Sequence, residues 1–291
     1  MATDKSGLGG REVTRREAMV AALGGATGVL ALGGRLEAAP TPSPYGPFKT
    51  GIQSYSLRGL TTGGKADIAK ALSATKELGL GYWESYVAHI PVNVAQAEAY
   101  KKQAEGEGVT VIGYGVMHFG KDHDANRKVF EFAKALGVGY LSADPDPDSF
   151  GSLDKLVDEY GVAIGIHNHG PGHRYDKINK IAASIKDHHE KIGCCVDTGH
   201  FLRSREDPVR AVEVFGKRIY GVHLKDVKNG TEFTVLGRGD LRTADLLKAL
   251  AKLRYEYCLA LEYEEHPENP IAEMRQCLDA VREAAATLPA N

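Results

Sequence analysis

From Lys49 onward, short apolar runs alternate with segments of helical period. The apolar runs are KTGIQSYS (49–56), YWESY (82–86), TVIGYGVMH (110–118), GYLSA (139–143), VAIGIHNH (162–169), GCCVDTGH (193–200), IYGVHLKD (219–226) and CLALEYE (258–264). Between them, 65–78, 94–107, 125–136 and 243–253 place apolar residues three and four apart, as amphipathic helices do. Several of these stretches end in glycine (LGLG, EGEG, LGVG), the residue that tolerates a left-handed C-terminal cap. Strand–helix alternation repeated about eight times predicts parallel strands joined by crossover helices, and eight such units close into a barrel. An open doubly wound sheet is the alternative, but no G-x-G-x-x-G follows the first strand. The pattern therefore predicts a single (β/α)8 barrel over 49–286, with a short tail at 287–291.

Alternation within the strands predicts what faces inward, because successive side chains point to opposite faces. His167 and His169 share a face with Ala163 and Gly165, opposite Val162, Ile164 and Ile166. His223 shares one with Gly221 and Lys225, opposite Tyr220, Val222 and Leu224. Glu262 lies with Ala260, opposite Leu259 and Leu261, and Trp83 points away from Glu84. Small and polar residues are thus expected inside the barrel and large apolar ones against the helices. The polar residues fall at the C-terminal strand ends, the catalytic end of such barrels. Imidazoles and carboxylates converging from several strand ends suit a divalent ion.

The first forty residues differ in kind. Arg15-Arg16 precede the mildly apolar AMVAALGGATGVLALGG (18–34), a pattern like a twin-arginine export signal. Residues 1–39 are read as a targeting segment, 40–48 as a Pro-rich linker, and the expected location is periplasmic. The stretch is too short and weakly apolar for a stable membrane span. The composition is ordinary for a globular chain of 291 residues, with a formal net charge of −2, which gives no general attraction for nucleic acid. Four cysteines, two of them adjacent, are read as buried free thiols. DPDPD (144–148) lacks the glycine and distal glutamate of a calcium loop and is read as a rigid turn after the fourth strand, at the pocket rim.

The order of strand-end residues resembles the xylose isomerase-like TIM-barrel superfamily, in its sugar phosphate isomerase/epimerase branch. Glu84 in YWESY, the His167–His169 pair, Asp197 and His200 in VDTGH, His223, Glu262 and the LGRGD turn (236–240) carry the likeness. The resemblance implies one divalent ion held by Asp197, His223 and Glu262. At the fourth position, where the family has glutamate, this chain has His167. That exchange favours Mn, Co or Zn over ions that take only oxygen. It also breaks the pair of facing glutamates with which family epimerases remove and return a proton. Glu262 then stands as a candidate base, with Glu84, His169 and Lys225 as further candidate acids or bases. Glu84 has a second reading as part of a buried salt bridge. His200, His118, Tyr86 and Arg238 are candidate contacts to a sugar.

The resemblance implies a metal-dependent enzyme that takes a proton from beside a carbonyl of a small sugar or glycoside, an isomerase or epimerase. The alternative is a lyase or dehydratase acting by elimination on a keto-sugar or keto-glycoside. An endonuclease IV-like phosphodiesterase calls for a richer metal cluster and a basic surface, and the near-neutral charge argues against it. A non-catalytic sugar-binding barrel is the remaining class.

Overall fold

The computed structural model describes residues 43–289; the twin-arginine-like segment lies outside them. Eight parallel strands close on themselves: β1 (Lys49–Gln53), β2 (Tyr82–Ser85), β3 (Thr110–Phe119), β4 (Tyr140–Pro145), β5 (Ala163–His167), β6 (Ile192–Asp197), β7 (Ile219–Leu224) and β8 (Cys258–Leu261). Each strand pairs with its neighbours in sequence, and β8 returns to β1. All eight predicted strands are present. The crossovers carry helices α1 (Ile68–Glu77), α2 (Ala97–Gly106), α3 (His123–Leu136), α4 (Phe150–Tyr160), α5 (Ile178–Ile185), α6 (Thr198–Arg203), α7 (Pro208–Phe215), α8 (Thr243–Lys252) and α9 (Ile271–Ala285).

The helix ends follow local chemistry. Asp67 and Asp122 cap α1 and α3, each accepting two backbone N–H bonds in the first turn. Asp207 caps α7, with Pro208 at the first helical position, where no N–H is needed. Gly137 and Gly161 end α3 and α4 at φ 86° and 72°, a left-handed conformation that costs other residues more. Among the described residues no helix is long and apolar enough to cross a membrane.

Two apolar layers hold the barrel. The larger lies between strands and helices and takes Ile164, Ile166, Val222, Leu224, Leu259, Leu261 and Trp83. The Trp83 indole also donates to Thr75 Oγ1 on α1 at 2.7 Å, so the ring faces the helix layer as predicted. The smaller fills the barrel interior with Tyr140, Ala163, Tyr220, Cys258 and Ala260. Tyr220 departs from the alternation, which assigned it to the helix side. The register of β6 and β7 slips by one residue here, from Cys194 opposite Ile219 to Cys195 opposite Gly221. Such a bulge leaves an extra residue in β7 and turns Tyr220 inward. At Gly193 a side-chain carbon would run into the Arg218 carbonyl oxygen, so adjacent strand and loop backbones approach there as only glycine permits. All four cysteines are buried and unbridged. Before β1, Tyr45 and Phe48 are buried, and the Tyr45 hydroxyl accepts from Arg282 on α9 at 2.9 Å.

Candidate active site

At the C-terminal end of the barrel, register brings the polar strand ends to one level. Asp197 lies opposite His223, His223 opposite Ala260, and Gln53 opposite Glu84. His167, Asp197, His223 and Glu262 are buried, and one ligand atom of each lies within 4.8 Å of the others. His223 Nδ1 is 2.9 Å from Glu262 Oε2 and 3.1 Å from His167 Nε2, and His167 Nε2 is 3.4 Å from Asp197 Oδ2. Asp197 Oδ2 and Glu262 Oε2 have no hydrogen bond among the described residues, although both are buried. Buried carboxylate oxygens are costly unless paired or ligating a metal. The donor set of two imidazoles and two carboxylates fits a borderline divalent ion.

Local structure aims each of these groups. Asp197 ends β6 and is also the N-cap of α6. Its Oδ1 accepts from His200 N at 2.7 Å, which leaves Oδ2 pointing into the cluster. Asn168, just past β5, accepts from Asp197 N and donates to Asp197 O, both at 2.8 Å, and so ties the two strand ends together. Thr198 does the same between β6 and β7, accepting from Lys225 N at 2.8 Å and donating to the His223 carbonyl at 3.1 Å.

Beneath the cluster lies Glu84, fully buried. It accepts from Gln53 Nε2 at 2.8 Å, Tyr140 OH at 2.6 Å, the Ser142 hydroxyl, and His223 Nε2 at 2.9 Å. Burial opposes its charge, but His223 and the hydroxyl donors outweigh that and hold its pKa below the usual value. The contact fixes the His223 ring so that Nδ1 faces the other three residues. Glu84 does not line the cavity.

Charge within the cluster is balanced by Lys225. Its ammonium is 3.0 Å from Asp197 Oδ2 and 3.1 Å from Glu262 Oε2, and its hydrogen bond goes to Glu264 Oε1. Burial would raise both carboxyl pKa values; Lys225 leads the groups that overcome it. Glu262 is lowered to about 2 and Asp197 well below its ordinary value. The same carboxylates outweigh burial at Lys225 and raise its pKa.

Above the cluster opens a cavity of about 270 Å3 lined by Gln53, Tyr55, Tyr86, His167, His169, His200, Lys225, Glu262 and Glu264, among others. Tyr55 and Tyr86 meet edge to face, ring centres 5.0 Å apart, as an aromatic wall. His169 and His200 stand on the imidazole side. Burial lowers their pKa to about 3 and about 4, which keeps both rings neutral. Of the residues singled out from sequence, His118 and Arg238 are not brought here. His118 is exposed, its Nε2 3.3 Å from Asp146. Arg238 is exposed and donates to Gln276 on α9 at 2.6 Å. The loop that carries it is gathered by Asp226, whose carboxylate accepts from the backbone N–H of Val227, Gly237, Gly239 and Leu241 at 2.9–3.0 Å. Asn168, Thr198 and Asp226 went unnoticed in the sequence. Asp226 alone left a signal there, a second charged residue directly after Lys225 at the end of an apolar run.

A closed eight-stranded parallel barrel with a His/Asp/Glu cluster at its C-terminal end defines the class: a TIM barrel whose clustered side chains could hold a divalent ion. The chain belongs to the xylose isomerase-like TIM barrel family, whose model matches residues 72–284. It is similar to the inosose dehydratase of Mesomycoplasma hyopneumoniae strain J, 30% identical over 158 residues, 46% of this chain and 51% of that protein. The inosose dehydratase of Clostridium beijerinckii is 27% identical over 140 residues, 41% and 46% of the two chains. The chain thus spans about half the length of the curated relatives it matches. Among solved structures, an L-ribulose 3-epimerase superposes with a TM-score of 0.65 at 15% identity, covering 82% of this chain and 94% of that one. The IOLI protein with a bound zinc atom superposes with a TM-score of 0.66 at 14% identity, covering 83% and 99%. At these identities the structural likeness speaks for the fold.

Proposed function

We propose that the chain is a divalent-metal-dependent enzyme that removes a proton from the carbon beside a carbonyl of a small polyhydroxylated substrate, as keto-sugar isomerases and epimerases do. The observation that carries this reading is the convergence of two buried carboxylate oxygens, Asp197 Oδ2 and Glu262 Oε2, with the imidazoles of His167 and His223 on the cavity floor, where the two oxygens make no hydrogen bond among the described residues and only Lys225 offsets their charge. Those four residues would hold the ion, which supplies polarisation of the substrate carbonyl when bound. Glu262 reaches the cavity and is the base we assign: the C–H bond breaks, the proton passes to its carboxylate, and the electron pair moves onto the carbonyl oxygen. Lys225 keeps Glu262 ionised for that step. Tyr55 and Tyr86 offer an aromatic face to a sugar ring, and His169 and His200 offer neutral imidazoles to its hydroxyls.

Elimination is the second reading, and one observation favours it. Where a symmetric epimerase needs a second carboxylate opposite the first, this site presents imidazoles at His167, His169 and His200. A neutral imidazole cannot readily return a proton to carbon, but it can hydrogen-bond a departing hydroxyl. The curated relatives are named for dehydration of an inosose, which agrees with that asymmetry.

Incubation with keto-sugars and keto-cyclitols in D2O, with Mn, Co or Zn supplied, tests both. Deuterium should enter beside the carbonyl, and Glu262→Gln should abolish its entry. An epimer among the products supports the first reading; loss of water or of an aglycone supports the second. Full turnover in Glu262→Gln removes that residue from the base role.

A further inference from the structure

On the rim of the barrel, beside the described cluster, a second group of ligand-type side chains converges. Asp144 is the last residue but one of β4, and His169 and His173 lie in the loop that follows β5; one ligand atom of each is within 4.8 Å of the other two. His173 Nε2 is 3.3 Å from Asp144 Oδ2. The imidazole rings of His169 and His173 are 4.4 Å apart between centres. Two atoms here are buried without a hydrogen bond among the described residues: Asp144 Oδ1 and His169 Nδ1. Each is a polar atom without a hydrogen-bond partner in a place that water does not reach, which is costly.

The loop is built to stay in this position. The Tyr175 hydroxyl, buried, donates to the Pro145 carbonyl at 2.7 Å. Arg174 donates to the same carbonyl at 3.0 Å and to Asp146 Oδ1 at 2.8 Å. Gly172 N donates to Asp176 Oδ2 at 2.9 Å. These bonds dock the loop on the end of β4 and hold His173 over Asp144. They also sort the charges. Asp146 is met by Arg174 and faces His118, whereas Asp144 faces only His173, so its carboxylate is not neutralised by a fixed cation.

We infer that Asp144, His169 and His173 form a second divalent-cation site, three protein ligands with open positions toward the cavity. Two imidazoles and one carboxylate select Zn, Co or Mn over Mg and Ca. Ligation through His173 Nε2 moves the ring proton to Nδ1 and gives up a 3.4 Å contact from Tyr175 N, a long bond and a small loss. His169 separates this site from the first: its ring lies 4.6 Å from that of His167 between centres. An ion on the rim would therefore meet the same substrate as one on the floor. This inference does not require the proposed reaction.

Metal-free protein is dialysed to equilibrium against Co2+ and the bound ion counted. Wild type should take up two ions per chain, His173→Ala one, Asp197→Asn one, and the double variant none. If the floor site fails to bind, wild type and Asp197→Asn each take up one and His173→Ala none, which still supports the rim site. Uptake of one ion by wild type that persists in His173→Ala overturns it, as does uptake of two by His173→Ala. A measurement on the unmutated chain guards against misfolding of the variants. Carbethoxylation of His173, read by peptide mass spectrometry, should slow when Co2+ is added. An unchanged rate overturns the proposal.

Discussion

Glu84→Gln separates two roles for a fully buried carboxylate. In the structure Glu84 Oε1 accepts from Gln53, Ser142 and His223, and Oε2 from Tyr140. The glutamine amide can keep its oxygen on the first three donors. Its NH2 then faces the Tyr140 hydroxyl, which loses its acceptor, and the imidazole of His223 loses a charged partner at 2.9 Å. A hydrogen bond to a charged group is worth roughly 1.5–3 kcal/mol and an orphaned buried hydroxyl about 1–3 kcal/mol more. With partial relaxation a net loss of roughly 2–4 kcal/mol is expected. At roughly 2–4 °C per kcal/mol for a chain of this size, the melting temperature should fall by about 5–15 °C.

The effect on metal binding is the sharper readout. A ligating histidine whose second nitrogen donates to a carboxylate is oriented by it and made more basic, and removing that partner weakens binding roughly 10–100-fold. Competition with a chromophoric chelator, for Zn and Co, measures the loss directly, and circular dichroism confirms that the variant is folded. Unchanged metal affinity in a folded variant refutes the positioning role. If turnover is lost while affinity is unchanged, Glu84 acts on substrate instead, contrary to its enclosure beneath His223.

Other outcomes follow from single contacts. Asp226→Ala strands four backbone N–H groups of the 227–241 loop and should cost about 3–5 kcal/mol by thermal melting, as loss of one partner of a buried charged network does; native stability would show the loop is held by something else. His89 is buried, with Nδ1 3.0 Å from Ser54 Oγ and a pKa lowered by burial to about 4. The unfolded chain takes up this proton first, near pH 6.5, so stability should decline as pH falls from about 6.5 to about 4, by up to ~3 kcal/mol from this group, and level off below. Denaturant titrations of His89→Gln should show a shallower slope over that window; an identical slope refutes the assignment. Lys225→Met should lower the melting temperature of the metal-free protein, because two buried carboxylates lose their counter-ion. It should also strengthen divalent-ion binding, since the ion no longer displaces an ammonium; weaker binding refutes a competing role for Lys225.

Periodicity made most of the fold legible. Inward placement of His167, His223 and Glu262 follows from alternation over β5, β7 and β8, where, Tyr220 apart, inward positions are small or polar and outward ones branched. Alternation fails at Tyr220, because a bulge is a property of the strand pair and leaves no mark in one strand alone. It is equally silent beyond the strand ends. His173 joins Asp144 through a loop docked by Tyr175 and Arg174, and Arg238 is carried away from the cavity by the amides gathered at Asp226. Neither placement depends on a repeat that a single sequence displays. Glu84 was visible as an inward carboxylate, but whether it met substrate or a buried partner depended on Gln53, Tyr140, Ser142 and His223, which come from three other strands.

The same asymmetry that makes His167 depart from the family pattern organises the whole site. Around the cavity floor negative charge gathers at Asp197, Glu262 and Glu264, on β6 and just past β8, and is matched there by Lys225. The arc from β4 to α6 carries imidazoles, with Asp144 beside His169 and His173 at the rim. A substrate lying between them has an ionised base on one side and neutral donors on the other. Proton removal is then served by the first side, while the second is suited to a leaving oxygen more than to a carbon. A second ion on the rim would sharpen that division, because it would put Lewis acidity on the side where a hydroxyl must depart. Metal stoichiometry and reaction outcome are therefore linked. A chain with two ions should favour elimination, and His173→Ala should shift the balance toward exchange and epimerisation if both reactions run from the same deprotonated state.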